Sequence, residues 1–403
     1  MILPQGVERG AARVLGARAL RAFGDGYVAV LLPAYLLALG LGEIEVGVIS
    51  TVTLLGSAAA TLAVGALGVR FSQRRLLGAG AFLMIATGVG FAGFPSFWPL
   101  LVIAFFGTLN PTGGDVSLFL PLEHARLAAY SSEQSRTALF ARYSLAGYLF
   151  GALGALAAAA PDLLGIDRLD AMRAMFALYG ALGVLVWLLY RKEPARPGEA
   201  RGHAPLRESR GIVLKLAGLF SVDAFAGGLV VHSLLALWLF ERFGMSLAAV
   251  GTFFFWTGLL SAASQLAAAS IAQRIGLLNT MVFTHIPSSL FLIGAALSPT
   301  LGMALTFLVL RSALSQMDVP TRSAYVMAVV TPAERPAAAS FTSVPRSLAA
   351  AAGPALAGLM FSAGAFAAPL IACGVLKIGY DLALLAAFRK VRPPETRYQG
   401  SGS

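Results

Sequence analysis

Apolar and polar positions alternate along this chain on the scale of tens of residues. Runs of about 20 apolar residues, dominated by Ala, Leu, Gly, Val and Phe, are separated by short polar stretches. A run of that length matches the roughly 30 Å hydrocarbon core of a bilayer at about 1.5 Å of helical rise per residue. The pattern predicts twelve membrane-spanning helices, at 19–40, 46–69, 76–95, 98–122, 137–160, 172–190, 213–240, 247–273, 278–297, 302–330, 338–361 and 366–388. A transmembrane barrel would show short alternating strands instead. An even number of spans puts both ends of the chain on one side.

Lys and Arg choose that side. Arg9, Arg13 and Arg18 precede the first span; Arg70, Arg74 and Arg75 follow the second; Arg126 and Arg136 follow the fourth. The stretch RKEPARPGEARGHAPLRESR after the sixth span is the most basic of all, and the opposite loops hold only Arg168, Arg173 and Arg242. This bias predicts cytoplasmic termini and a cytoplasmic central link. The link is rich in Pro, Gly and charge, as a boundary between domains would be. The expected organisation is a six-helix bundle at 1–190, a linker at 191–212, a second bundle at 213–392 and a tail at 393–403.

The two halves echo each other. Gly40, Gly47, Arg70 and Arg142 recur 204 residues later as Gly244, Gly251, Arg274 and Arg346. Asp115-Val116 recurs after 203 as Asp318-Val319, and AFGDGYV (22–28) after 202 as AFAGGLV (224–230). Agreement at nearly one offset across four spans points to two parallel six-helix repeats, an architecture that places a substrate site between the repeats near mid-membrane.

Composition fits this picture. Hydrophobic residues make up 58% of the chain and charged ones 12%, half the charged fraction of an ordinary soluble protein. Mean hydropathy is +0.78. The net charge of +11 sits in the loops as an orientation signal, so nucleic-acid binding is not expected. The single cysteine, Cys373, excludes an intrachain disulfide and a cysteine-built metal site. No Lys is followed by Ser or Thr, so there is no P-loop lysine; there is also no His-Glu-x-x-His and no Gly-x-Ser-x-Gly. Neither an ATP-driven pump nor an enzyme is expected, and neither a cofactor nor a metal.

Twelve spans, a basic central loop and a six-plus-six repeat resemble the major facilitator superfamily. Its best-known motif, Gly-x-x-x-Asp-Arg-x-Gly-Arg-Arg after the second span, is met here by GALGVRFSQRR. Gly65, Arg70, Arg74 and Arg75 match, while Val69 and Ser72 replace the aspartate and second glycine. The second half carries AAASIAQRIGLLN (267–279) at the corresponding place. The exporter branch has a Gly-rich fifth span with a Gly-Pro pair; here Gly147, Gly151 and Gly154 are present with Ala152 in place of proline, and Gly353-Pro354 stands in span eleven instead. Small residues of this kind let helices approach closely. The resemblance implies an all-α membrane protein of twelve helices in two pseudo-symmetric bundles. It also implies alternating-access transport of a small solute, with protons as the coupling ion, by a monomer in a bacterial-type inner membrane.

Ionisable residues inside spans are functional candidates, because a charge at mid-bilayer is costly without a partner or a wet cavity. Asp25 lies between Gly24 and Gly26 in span one. It can couple protons, serve as counter-charge to a cationic solute, or pair with Arg21 one turn earlier. Asp115, behind Asn110-Pro111 and Gly113-Gly114, marks a broken helix in span four. Asp318 repeats it in span ten beside Pro320 and Arg322. Arg142 and Arg346 repeat each other at similar depth, so Asp115–Arg142 and Asp318–Arg346 are the expected pairs, closing within each half or across them as a gate. Span seven adds Asp223 and His232, for which packing or a carbonyl hydrogen bond competes with titration, and span ten adds Arg311. Glu123, His124 and Arg126 are expected to face water, and Lys377 with Asp381 to form a local pair. Asn110, Tyr27, Tyr35, Tyr143 and Trp238 are expected to line a cavity; FFFW (253–256) reads as core or lipid-facing. The rivals to proton-coupled export are an anion carrier using Arg21, Arg142, Arg311 and Arg346, and a lipid-translocating or non-transporting protein on the same scaffold.

Overall fold

A computed structural model describes residues 7–67, 70–112, 118–194, 207–331 and 334–389. The first helices are α1 (Gly10–Ala38), α2 (Glu43–Leu67), α3 (Gln73–Gly93), α4 (Phe97–Phe106), α5 (Phe119–Ala129), α6 (Glu133–Ala157), α7 (Ala160–Leu163) and α8 (Arg168–Tyr190). They are followed by α9 (Arg210–Gly228), α10 (His232–Phe243), α11 (Leu247–Ile275), α12 (Leu277–Ala296), α13 (Leu301–Ser312), α14 (Asp318–Val329), α15 (Arg335–Ser362) and α16 (Ala368–Phe388). Among the described residues, ten helical segments are long and apolar enough to cross a membrane. The short pairs α4/α5 and α13/α14 supply the fourth and tenth spans, making twelve.

Local chemistry sets the ends. The Ser132 side chain accepts from the Ser135 amide, and the Ser135 side chain accepts from the Ser132 amide, forming a capping box at the start of α6. Asp167 caps α8 through the amides of Leu169 and Asp170. Gly276, at φ 88°, takes a left-handed conformation that only glycine adopts freely, which lets α11 run into α12 with no loop. Several hydroxyls within the spans donate to the carbonyl four residues back, as Thr53 does to Ile49 and Thr284 to Thr280, which satisfies those polar hydrogens within the helix.

Three spans are interrupted. Span four breaks between Phe106 and Phe119, where Asn110-Pro111 stands; Asn110 Oδ1 accepts from the Thr112 amide at 3.0 Å and its hydroxyl at 2.7 Å. Span ten breaks just before Asp318, which opens α14, where its charge suits the positive end of the helix. Span seven, expected to run unbroken from 213 to 240, is split at Leu229–Val231, where Val231 is extended. The cause is Gly227-Gly228 followed by two valines, a poor helical sequence.

The chain forms two compact units. The first runs through α8 and also holds Val231–Leu259; the second holds α9 up to Val230 and the chain from Leu260 onward. Residues 231–259 therefore pack with the first unit, a division the central linker alone did not foretell. Inside the first unit α1 packs on α6 and α8, and α3 on α8. Inside the second, α9 packs on α15 and α16, and α12 on α16. The crossings repeat in detail. A Cβ on Gly26 would stand 2.1 Å from the Gly151 carbonyl oxygen, and one on Gly353 would stand 2.3 Å from the Gly228 carbonyl carbon. Gly26 and Gly151 lie 202 residues before Gly228 and Gly353, so the α1/α6 and α9/α15 crossings are one contact built twice. Both use the same absence of side chain to bring backbones together.

Candidate functional site

Each unit carries a polar cluster in its interior. In the first, Glu123 on α5 is fully buried and accepts hydrogen bonds from Arg21 on α1, from the Tyr143 hydroxyl at 2.6 Å and from the Tyr190 hydroxyl. The Arg21 guanidinium also stacks over the Phe119 ring, 4.2 Å from its centroid. Nearer the chain end, Glu193 takes Arg13 at 2.6 Å and the Tyr130 hydroxyl, with Arg126 at 3.7 Å. Glu123 and Arg126 were expected to face water; both are at 0% exposure. The break in span four resets the helix, so α5 carries them inward against α1 and the end of α8. His124, by contrast, is half-buried, edge-on to Phe140 and Tyr143.

In the second unit, α9, α12, α14 and α16 contribute one connected chain of charges. Arg322 bridges Asp318 at 2.9 Å and Asp223 at 3.1 Å. Lys377 Nζ donates to Asp223 Oδ1 at 2.6 Å and to His285 Nε2 at 3.2 Å. His285 Nδ1 faces both Asp381 oxygens, 3.1 Å from Oδ1 and 3.0 Å from Oδ2. An ammonium only donates, so Nε2 must accept and Nδ1 must carry the proton given to Asp381. That assigns a neutral tautomer. Every member but Lys377 is at 6% exposure or less; Asp223, Asp318, Arg322 and Lys377 each meet an opposite charge, and Asp381 is held by the hydrogen bond from His285.

These contacts revise the expected pairs. Lys377 and Asp381, one turn apart, serve different partners, Asp223 and His285, in place of each other. Asp318 pairs with Arg322 on its own helix and not with Arg346. Arg346 is half-buried within electrostatic reach of Arg322, Asp223 and Asp318, and its Nε finds no hydrogen-bond partner among the described residues. Asp115 lies outside the described residues, and Arg142 is half-buried. Asp25 is half-buried, with the Tyr179 hydroxyl 3.4 Å from Oδ1 and also 2.9 Å from the Thr108 carbonyl. Arg21, one turn before Asp25 on α1, reaches Glu123 on α5. Arg311 is half-buried on α13.

His232 settles into the carbonyl bond: Nδ1 donates to the Thr112 carbonyl, and the ring meets Phe254 edge-on at 4.9 Å. The Ser233 amide donates to the Pro111 carbonyl at 3.1 Å. The broken end of span four and the start of α10 thus satisfy each other's exposed backbone. The expected cavity residues Asn110, Tyr27, Tyr35, Tyr143 and Trp238 are all at 2% exposure or less, in packed interior in place of an open wall. Tyr27 donates to the Met175 carbonyl at 3.1 Å, Tyr35 to the Phe91 carbonyl at 2.5 Å, and Trp238 packs edge-on to Phe243. A phenol amid apolar helices needs an acceptor, and backbone carbonyls supply it. His285 was missed from sequence, although it stands in span nine; the rule that singles out ionisable residues within spans applies to it equally.

The sequence profile of the Major Facilitator Superfamily matches residues 14–240 and again 216–402. A Saccharomyces cerevisiae relative, described as uncharacterized membrane protein YJR124C, is 25% identical over 92% of this chain and 92% of its own length. Among solved structures, a bacterial homologue of the human lysosomal transporter Spinster, in an inward-facing and occupied conformation, superposes with a TM-score of 0.76 at 16% identity, over 95% of this chain and 97% of that one. A D-xylose–proton symporter does so with a TM-score of 0.76 at 17% identity, over 95% and 98%. Repeated crossings at matched glycines, twelve spans and a profile matched almost end to end agree: the chain belongs to the Major Facilitator Superfamily, whose members are transporters.

Proposed function

We propose that this protein is a secondary active transporter that moves a small organic solute by alternating access, outward and in exchange for protons. It would sit in a plasma membrane with both termini cytoplasmic. The observation that carries the coupling is the chain Asp381–His285–Lys377–Asp223–Arg322–Asp318. His285 Nε2 is the point of entry. A proton placed there turns an acceptor into a donor, so Lys377 must let go. Asp223 Oδ1, 3.8 Å from Nε2, is then the acceptor within reach. One proton thereby rearranges contacts among three helices, α9, α12 and α16, which is what a coupled carrier requires of its coupling site. Asp25, with Tyr179 beside it, is the first unit's carboxylate for a cationic or hydroxylated part of the solute. The basic loop bias supports the orientation, the Gly-rich α6 supports the exporter likeness, and one structural neighbour is by its description proton-coupled.

The test is flux in proteoliposomes with an imposed pH gradient, screened over pentoses, nucleosides, organic acids and lipophilic cations. Flux of at least one solute should follow the gradient. His285→Gln and Asp223→Asn should abolish gradient-driven flux while exchange of labelled for unlabelled solute persists. Flux indifferent to the gradient, or lipid scrambling with no solute flux, defeats the reading.

A further inference from the structure

We infer that the second unit binds an anionic group, a carboxylate or phosphate, at Arg311. As cargo, that anion presupposes the transport reading above; as a bound ligand it does not. The interior of this unit holds three carboxylates, Asp223, Asp318 and Asp381, and three cations in their field, Arg322, Arg346 and Lys377. His285 is neutral by its tautomer. Arg311 is therefore a fourth cation with no carboxylate to match it. Its side chain makes no hydrogen bond or ion pair among the described residues, and the titratable group it interacts with is the Cys373 thiol, which is uncharged as a thiol and a weak acceptor.

Three ordinary explanations fall short. Arg311 could point to lipid, but it lies on the face of α13 that carries Ala304 and Leu308, at 0% and 2% exposure; Met303, Val309 and Leu310 are on the exposed face. It could snorkel to the interface, but ten residues of helix separate it from Leu301, about 15 Å of rise, half the hydrocarbon thickness. It stands in the last turn of α13, where the helix dipole favours a cation, but that attraction is small beside the cost of an unmatched charge in a bilayer. A guanidinium with its fork unsatisfied, half-buried at mid-membrane and one turn from the level of Lys377 through Cys373, is the arrangement that takes a carboxylate or phosphate in bidentate fashion.

Purified protein in detergent would be melted with sodium succinate, sodium phosphate or D-xylose at constant ionic strength. Succinate or phosphate should raise the midpoint saturably and D-xylose should not. The effect should vanish in Arg311→Gln and persist weakened in Arg311→Lys. Without ligand, Arg311→Gln should melt above the wild type, because an unmatched cation is removed; a merely structural arginine would lower it. Absence of any anion effect, its survival in Arg311→Gln, or a lowered unliganded midpoint overturns the assignment. In nanodiscs, a shift that requires phosphatidylglycerol and resists succinate assigns the site to a lipid headgroup and overturns the solute. Proton-driven flux of a neutral sugar with no anion binding would sink this site and leave the transport reading standing; anion binding without any flux would do the reverse.

Discussion

Gly26→Ala puts one methyl group into the α1/α6 crossing. Its Cβ would lie 2.1 Å from the Gly151 carbonyl oxygen, 2.9 Å from the Gly151 carbonyl carbon and 3.0 Å from the Ala155 amide nitrogen. Ordinary contact begins near 3.4 Å, so the deficit is 3.4 − 2.1 = 1.3 Å. All three atoms are backbone, and no rotamer relieves the clash; the helices must separate by about 1 Å. A gap of 0.5–1 Å forfeits roughly a quarter to a half of each dispersion contact along the seam. The second close approach in the same crossing, where a Cβ on Gly154 would be 2.0 Å from the Phe23 carbonyl, shows how little slack the seam has. The expected cost is about 3 kcal/mol, the upper end for overpacking. Gly228→Ala should cost a similar amount in the second unit, its Cβ falling 2.2 Å from the Ala350 carbonyl oxygen. Gly218→Ala is the control: this α9 glycine is exposed with nothing within 4 Å, and the change should be neutral or stabilising by about 0.4–1 kcal/mol. Thermal unfolding in one detergent ranks the three. If Gly26→Ala melts together with Gly218→Ala, the close-packed crossing does not hold the unit together as described.

Asp223→Asn leaves Arg322 and Lys377 without their shared carboxylate and should cost about 3–5 kcal/mol; Asp223→Asn with Lys377→Met should recover part of it in a double-mutant cycle of melting curves. Glu123→Leu should destabilise more than Glu123→Leu combined with Arg21→Met, since the single change strands a buried guanidinium; the same melts decide. Glu334, outside the spans, has its carboxyl held at about 2, below its usual 4.5, by the Ser209 hydroxyl first and then by the amides of Arg207, Ser209 and Glu208. Its stabilisation is present above pH 4.5 and is lost as pH falls toward 2. Glu334→Gln should flatten that part of the stability–pH curve, and an unchanged slope would refute the clamp.

The spans were legible to within a few residues because hydropathy over 20 residues requires no knowledge of neighbours. The repeat was legible too: AFGDGYV and AFAGGLV hold Gly26 and Gly228, the centres of the two crossings. Partnership was not legible. Arg21 meets Glu123 from 102 residues away, and Lys377 meets Asp223 from 154. Local spacing instead offered Lys377–Asp381, a sound helix pair in isolation that interhelical geometry overrides. Span seven hid its break because Leu229, Val230 and Val231 raise hydropathy while weakening the helix.

The two crossings share a blueprint, yet the clusters beside them have drifted apart in kind. In the first unit the counter-ion of Arg21, Glu123, is held by the phenols of Tyr143 and Tyr190, which neither gain nor lose a proton under ordinary conditions. In the second unit an imidazole and an ammonium hold the carboxylates, His285 at Asp381 and Lys377 at Asp223. One repeated glycine crossing thus frames two chemically different clusters, and the second includes an imidazole.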